Sequence, residues 1–379
     1  LNHTTTRARD LGINLRGRPG PHNAITDVAG VEVGYATLIS GDGPLTVGHG
    51  PVRTGVTAIL PRGRDGVGRP CAAGRFRLNG NGEMTGTAWI DEVGELALPI
   101  TISNTHAVGA CHTGVVQWVN EVHPTLAQQW LLPVCAETWD GYLNDINGGH
   151  VTPEVTRQAL DSARPGPVAE GSVGGGTGMN CYGFKGGSGT SSRQIAFGEA
   201  TFTVGAFVQA NFGSRDELTV SGVPVGQLID VENPMEDTPW LEEDLRAPSG
   251  AGSVIVVVAT DAPLNASQCQ GLARRVPLGL ARTGTTGSLF SGDLFLAFST
   301  ANDGPSRTGF PTAEPSEAEL YTAQHLPWNR IDPFYAAAVY AVEEAVLNAL
   351  VANESMTGRD GHRSPALDHQ LLLPLLKRG

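Results

Sequence analysis

Apolar and polar positions run along this chain in two rhythms, and their sharpest junction falls at residues 247–261. Ala247-Pro248-Ser249-Gly250-Ala251-Gly252 is small and flexible, and Ser253 then opens Val254-Ile255-Val256-Val257-Val258, which is apolar at every position. A β-branched run without polar alternation predicts a strand buried on both faces. Residues 52–61, with Val56-Thr57-Ala58-Ile59-Leu60, form a second such candidate, whereas residues 31–38 alternate like a half-buried strand. Gly41-Asp42-Gly43-Pro44 between them reads as a hairpin connection. Further strands are predicted at 101–105, in the apolar run 131–136, at 196–211 ending on Asn211, and in the aromatic-rich stretch that leads to Thr300.

Helical spacing appears at residues 107–121, where Val108, Cys111, Val115 and Val119 recur on one face. A short helix is predicted over 153–163 behind a cap at Thr152. Residues 267–281 form an amphipathic helix that Pro277 should kink or end early. Residues 333–351 give the clearest helix, with Pro333 in its first turn. Strands and helices mix without a regular βαβ rhythm, which favours a layered α+β sandwich over a doubly wound sheet.

Composition narrows the function classes. The 379 residues are 40% apolar and support a sizeable core in one large domain or two ordinary ones. A formal charge of −13 argues against nucleic acid or an anionic membrane as partner. No run of about 20 apolar residues is found, so no transmembrane helix is predicted. The first residues show no basic stretch leading into an apolar core, so no signal peptide is read in the chain. Cys71, Cys111, Cys135, Cys181 and Cys269 are scattered and odd in number, which fits reduced, buried thiols. No H-E-x-x-H or C-x-x-C occurs, and neither a catalytic metal nor a cofactor is expected. The glycine tract 171–193 lacks a Walker register and lacks the strand and acidic residue of a dinucleotide fingerprint. Tight turns, or backbone packed closely beneath a site, are the better reading.

The candidate chemistry gathers around Ser253. Residues 230–252 are acidic and proline-containing, the one clear shift in composition, and read as an exposed linker ending at Gly252–Ser253. Exposed linkers are where chains are cut. A cut there would give Ser253 a free α-amine beside its own hydroxyl, so one residue would supply both nucleophile and base. That amine, with an unperturbed pKa of about 7.7–8.0, would be partly neutral near physiological pH. The plainer alternative is that Ser253 is only a strand start. Asn211, at a strand end beside Phe212-Gly213, is either a turn former or an amide aimed at an oxyanion. Ser291 and Asp293 share a strand face by the period of two, either solvated or, with Phe295 and Phe298 on the same strand, partly buried.

Several blocks in one order carry a family resemblance: Pro21-His22-Asn23-Ala24-Ile25-Thr26-Asp27-Val28, the glycine tract 171–193, Val208-Gln209-Ala210-Asn211-Phe212-Gly213, Gly252-Ser253 with its strand, Ala259-Thr260-Asp261-Ala262-Pro263-Leu264, and Ser291-Gly292-Asp293. The chain resembles the L-aminopeptidase D-Ala-esterase/amidases and β-peptidyl aminopeptidases over most of its length. The resemblance implies a four-layer αββα fold similar to N-terminal-nucleophile hydrolases but differently connected. It implies a single catalytic domain that cuts itself at Gly252–Ser253 into an α polypeptide, 1–252, and a β polypeptide, 253–379, which stay associated. It further implies a homo-oligomer, commonly a tetramer of such pairs, acting on short peptides, amino-acid amides or esters without a metal.

By the same resemblance Ser253 is the nucleophile, Asn211 an oxyanion donor, and Ser291 with Asp293 a pair that orients or relays protons for Ser253. Some relatives carry Glu where Asp293 stands. Glu137, in Glu137-Thr138-Trp139-Asp140-Gly141, matches a carboxylate that holds the substrate's ammonium. Tyr142 matches a tyrosine lining that site and could equally be a core aromatic. Two other functions fit less well: an acyltransferase of the ornithine acetyltransferase type, which typically uses threonine as nucleophile, and a non-enzymatic, glycine-rich ligand-binding protein.

Overall fold

A computed structural model describes residues 6–237, 240–241, 250–304, 308–310, 314 and 320–377. In chain order the main elements are β1 (Glu32–Ser40), β2 (Val52–Leu60), β3 (Cys71–Arg77), α1 (Thr87–Val93), β4 (Glu95–Leu96), β5 (Ile100–Asn104), α2 (Val108–Val122), β6 (Val134–Thr138) and α3 (Pro153–Asp161). There follow β7 (Gly187–Phe197), β8 (Ala200–Asn211), β9 (Gly252–Thr260), α4 (Ala266–Ala273), α5 (Val276–Ala281), β10 (Ser291–Ser299) and α6 (Asp332–Val351). A four-stranded sheet runs β1-β2-β5-β6, and a six-stranded sheet runs β4-β3-β10-β9-β8-β7. Within them β5–β6 and β9–β10 are parallel pairs and the other pairs are antiparallel.

Three apolar clusters between four layers, two of helix and two of sheet, follow from the side-chain alternation. Val115, Trp118 and Val119 of α2 pack with Val56 and Ala58 on the outer face of the small sheet. Ile59, Ile100 and Ile102 meet Phe207, Ile255, Val257 and Leu296 between the two sheets. Val254, Val256 and Val258 instead join Ala341, Val342 and Ala345 of α6 beneath the large sheet. The unbroken apolar run of β9 is thus explained: its odd positions face the other sheet and its even positions face a helix. This is the expected αββα sandwich.

The structure departs from the sequence reading in four places. The end of the glycine tract, from Gly187 on, belongs to the edge strand β7, and α6 lies directly on it; a Cβ at Gly189 would come within 2.0 Å of the Ala345 carbonyl. Small residues there let a helix approach a strand closely, so the segment carries no apolar strand signal. The strand read from residue 196 is two strands, turning at Gly198, which has φ +61°. Residues 267–281 form two helices, α4 and α5, with Pro277 in the first turn of the second, where the missing N–H costs nothing. The fourth is α6, which is long and apolar enough by length and composition to cross a membrane, although no such run was read from the sequence. Glu343 and Glu344 interrupt it, yet both are buried and paired with arginines, and 83% of its apolar window is buried inside the protein.

All five cysteines are free and buried, as their scatter suggests. The acidic linker read at 230–252 lies partly outside the described residues.

Candidate active site

Ser253 is the second residue of β9, and its register partner on β8 is Asn211, the last residue of that strand. Directly opposed residues of an antiparallel pair point to one face, so hydroxyl and amide meet. The Asn211 Nδ2 donates to Ser253 Oγ at 3.3 Å and to the Trp139 carbonyl at 3.0 Å. Its orientation is fixed from behind, because the Asn180 N–H donates to its Oδ1 at 2.8 Å. A second donor comes from the other sheet: the Trp139 N–H, just past the end of β6, reaches Ser253 Oγ at 3.1 Å. Gln209 ties that strand end to β8, its Nε2 donating to the Ser103 carbonyl and to Thr138 Oγ1. Two donors from different sheets therefore converge on the buried Ser253 hydroxyl, and they stand close to where the oxyanion of a carbonyl bonded to that oxygen would form.

Gly252 precedes the hydroxyl for a steric reason. A Cβ at that position would stand 2.1 Å from the Asn211 carbonyl oxygen. The peptide before Ser253 can lie this close to Asn211 only without a side chain.

Ser291 and Asp293 lie on β10, where Gly292 is the register partner of Ser253. By the period of two they belong to the face that carries Phe295, whereas Ser253 belongs to the face that carries Ile255. The pair is buried, which decides between the two sequence readings. Ser291 Oγ donates to Asp293 Oδ1, and Asn79 Nδ2 donates to Asp293 Oδ2 at 2.9 Å. Burial raises the Asp293 carboxyl above its ordinary value, against the Ser291 hydroxyl, the Asn79 amide and the Val254 N–H. The carboxyl therefore stands beside the backbone at the start of β9; among the described residues no hydrogen bond joins it to Ser253 Oγ.

Glu137 is the fourth residue of β6, two before Trp139. Thr105 Oγ1 donates to its Oε2, and the Glu83 N–H donates to its Oε1 at 2.9 Å. Burial raises its pKa, with Thr105 and the Glu83 N–H opposing the shift. Among the described residues neither Glu137 nor Asp293 has an arginine or lysine partner.

Tyr142 is a packed aromatic that reaches Trp139 through Trp240. Its ring stacks on His362 with centroids 4.8 Å apart and meets Trp240 edge-on at 5.2 Å; Trp240 in turn lies 5.8 Å from Trp139. Its hydroxyl is directed to the Arg363 carbonyl at 3.3 Å, and burial pushes its pKa up to about 12. The C-terminal tail thus packs against Tyr142 through His362 and Arg363. Sequence reasoning also missed Trp139 as a backbone donor, Thr105, and Asn79, which opens the turn-like segment Asn79-Gly80-Asn81-Gly82-Glu83. A backbone N–H carries no side-chain signature, so its position next to Glu137 was the only available clue.

Residues 23–364 match the model of peptidase family S58. The chain belongs to peptidase family S58. It is 47% identical over 376 residues to the β-peptidyl aminopeptidase BapA of Sphingosinicella microcystinivorans, covering 98% of this chain and 92% of that protein. Among solved structures it is similar to the L-aminopeptidase D-Ala-esterase/amidase of Ochrobactrum anthropi, described as a variant of the Ntn hydrolase fold. That match has a TM-score of 0.89, 45% identity and 98% coverage of each chain. A Burkholderia sp. β-aminopeptidase matches with a TM-score of 0.87, 43% identity and 98% and 99% coverage. This S58 chain is a hydrolase, an aminopeptidase of the family, which sets aside the acyltransferase and non-enzymatic readings.

Proposed function

We propose that the chain cleaves its own Gly252–Ser253 bond and then releases N-terminal residues from short peptides, amides or esters, with Ser253 as nucleophile. The observation that carries this reading is the convergence of Asn211 Nδ2 and the Trp139 N–H on Ser253 Oγ, immediately after a glycine that only the absence of a side chain admits. In self-cleavage the Ser253 hydroxyl adds to the Gly252 carbonyl and the C–N bond breaks. The acyl group passes to Oγ, the nitrogen leaves as the α-amine of Ser253, and water hydrolyses the ester. In turnover the same hydroxyl attacks the carbonyl of the substrate's first residue, the free α-amine taking its proton. Asn211 and the Trp139 N–H hold the oxyanion; losing one such donor typically costs about 10²–10³ in kcat. The leaving amine takes a proton, and water resolves the acyl-enzyme.

The two unpaired carboxylates then have cations to receive. Asp293, beside the start of β9, accepts the new ammonium of Ser253, with Ser291 orienting it. Glu137 accepts the substrate's ammonium, which confines the enzyme to free N-termini. The polypeptides 1–252 and 253–379 remain together because their strands interleave: β9 and β10 sit in the large sheet between β3 on one side and β8 on the other. Separating them would open both apolar faces of that sheet. We further propose assembly of these pairs into a homo-oligomer, a tetramer of αβ units.

The test is a denaturing gel with intact mass and N-terminal sequencing, followed by assays on β-alanyl, D-alanyl and L-aminoacyl amides. Two fragments, the smaller beginning at Ser253, are expected, and Ser253→Ala should leave one uncut, inactive chain. A wild-type chain that stays whole on prolonged incubation yet hydrolyses these amides would sink the assignment of Ser253. Light scattering of the processed protein reads the oligomer.

A further inference from the structure

The 79–83 loop follows β3 and runs between the two strand ends that bear the site's carboxylates. At its start Asn79 is bound to Asp293 twice over: Nδ2 donates to Asp293 Oδ2 at 2.9 Å, and Oδ1 accepts the Asp293 N–H at 2.6 Å. The same Nδ2 also donates to the Ser288 carbonyl at 2.9 Å, so the amide's orientation is determined. At its end the Glu83 N–H donates to Glu137 Oε1. Between the two grips the backbone is pressed onto β10. A Cβ at Gly82 would meet Gly292 Cα at 3.0 Å and Glu137 Oε1 at 3.1 Å, and a Cβ at Gly292 would stand 2.4 Å from the Asn81 carbonyl oxygen.

We infer that this loop is the positioning element of the site, holding Asp293 through the Asn79 side chain and Glu137 through the Glu83 N–H, and so setting the spacing between the nucleophile's end and the ammonium's end. Neither Asn79 nor Gly82 touches the reacting atoms. The inference rests on the proposed roles of Ser253, Asp293 and Glu137, and it assigns separable consequences to the two ends. At the first end, an amide donating to a carboxylate favours its charged form. The groups that bear on the Asp293 carboxyl are Ser291 from its own strand, Asn79 from the loop and the Val254 N–H from the neighbouring strand. Losing the Asn79 donor therefore moves the acid limb of the rate profile to higher pH. At the second end, a methyl group on Gly82 crowds Glu137 and weakens its hold on an ammonium.

The experiment compares Asn79→Ala, Asn79→Asp and Gly82→Ala with wild type, reading processing on gels, kcat and KM against pH for an aminoacyl amide, and melting temperature. Asn79→Ala is expected to lower kcat by up to roughly 10²-fold, as misplacement of a reacting group does, with KM held and the acid limb shifted upward. Asn79→Asp keeps the acceptor for the Asp293 N–H but sets a carboxylate against a carboxylate, so it should do worse than alanine. A merely structural asparagine would give the reverse order. Gly82→Ala should raise KM with kcat largely kept. An Asn79→Ala protein with wild-type kcat and pH profile, or a Gly82→Ala protein with unchanged KM, overturns the inference. If the Asn79 variants melt early, the Gly82→Ala result decides alone. An uncut, inactive wild type would instead refute the parent proposal.

Discussion

Two buried places in this protein hold carboxylates in opposite ways. Glu344, in the middle of α6, is fully buried and receives Arg193 Nη2 at 2.6 Å and Arg9 Nη2 at 2.9 Å, with Asn23 Nδ2 on its other oxygen. Burial pushes its pKa up, but the two guanidiniums and Asn23 outweigh that and bring it below the ordinary value. Glu137 and Asp293 are as deeply buried, at 2% exposure each, yet their donors are neutral and their pKa values are raised. Burial is the same and the partner charge differs. The carboxylate on the helix is satisfied within the fold, tying the N-terminal segment and β7 to α6. The two at the strand ends carry a desolvation cost that a cation arriving later can relieve.

The comparison is broken hardest at its structural side. Glu344→Gln leaves Arg193 buried without its countercharge, and removing one member of a buried ion pair typically costs about 3–5 kcal/mol. Denaturant unfolding should show a loss of that size, while the protein that remains folded keeps its kcat. A loss confined to kcat, with stability intact, would mean that Glu344 belongs with the site rather than with the scaffold.

A smaller effect, on a different observable, is expected from Glu137→Gln. The amide can still accept from Thr105 or the Glu83 N–H, but the charge is gone. Hydrogen bonds to charged groups contribute about 1.5–3 kcal/mol, so kcat/KM on free-amine substrates should fall roughly 10- to 100-fold, mostly through KM. The pH dependences of stability and activity run in opposite senses. A carboxyl whose folded pKa lies above its unfolded value stabilises fully below the unfolded pKa and loses that contribution as pH rises through the folded one. Relative to the glutamine variant, wild type should therefore lose stability with rising pH across the carboxylate range. Its activity should rise over the same interval as Glu137 becomes charged. Parallel curves for the two proteins would remove Glu137 from the ammonium site.

Legibility in the sequence divides along the same line. Residues 254–258 announced a doubly buried strand because a β-branched apolar run has few other uses, and Ser253 stood out because it opens that run after a glycine. Thr152 and Pro153 marked the start of α3, where Thr152 accepts the Val155 N–H. The resemblance placed Asn211, Ser291, Asp293 and Glu137; the structure brings Asn211 onto Ser253, sets Ser291 and Asp293 on the neighbouring strand β10, and puts Glu137 two residues before Trp139. What stayed hidden was whatever depends on a neighbour distant in sequence. Arg9 and Arg193 look like surface charges until α6 is laid across them. Asn79 looks like a turn residue until β10 arrives beside it. The edge strand β7 is written in glycine and serine because a helix presses on it, so the force that shapes it erased its pattern.

The smallest effect expected is at Tyr142, which the sequence left between site and core. Its ring is held by His362 and Trp240, and its hydroxyl faces the Arg363 carbonyl. With burial holding its pKa near about 12, that phenol stays protonated through the working range and is already engaged as a donor. Tyr142→Phe keeps the ring and removes one neutral hydrogen bond, which is usually a loss of about 0.5–1.5 kcal/mol in stability. Arg363 is an exposed residue, so water can replace the lost donor at its carbonyl, which favours the lower end. Self-cleavage and kcat should be unchanged, because an oxygen committed to Arg363 cannot also shuttle a proton at Ser253. A drop in kcat of tenfold or more, with the melting temperature preserved, would show that the hydroxyl leaves Arg363 during turnover and would move Tyr142 from a packed aromatic into the chemistry of the site.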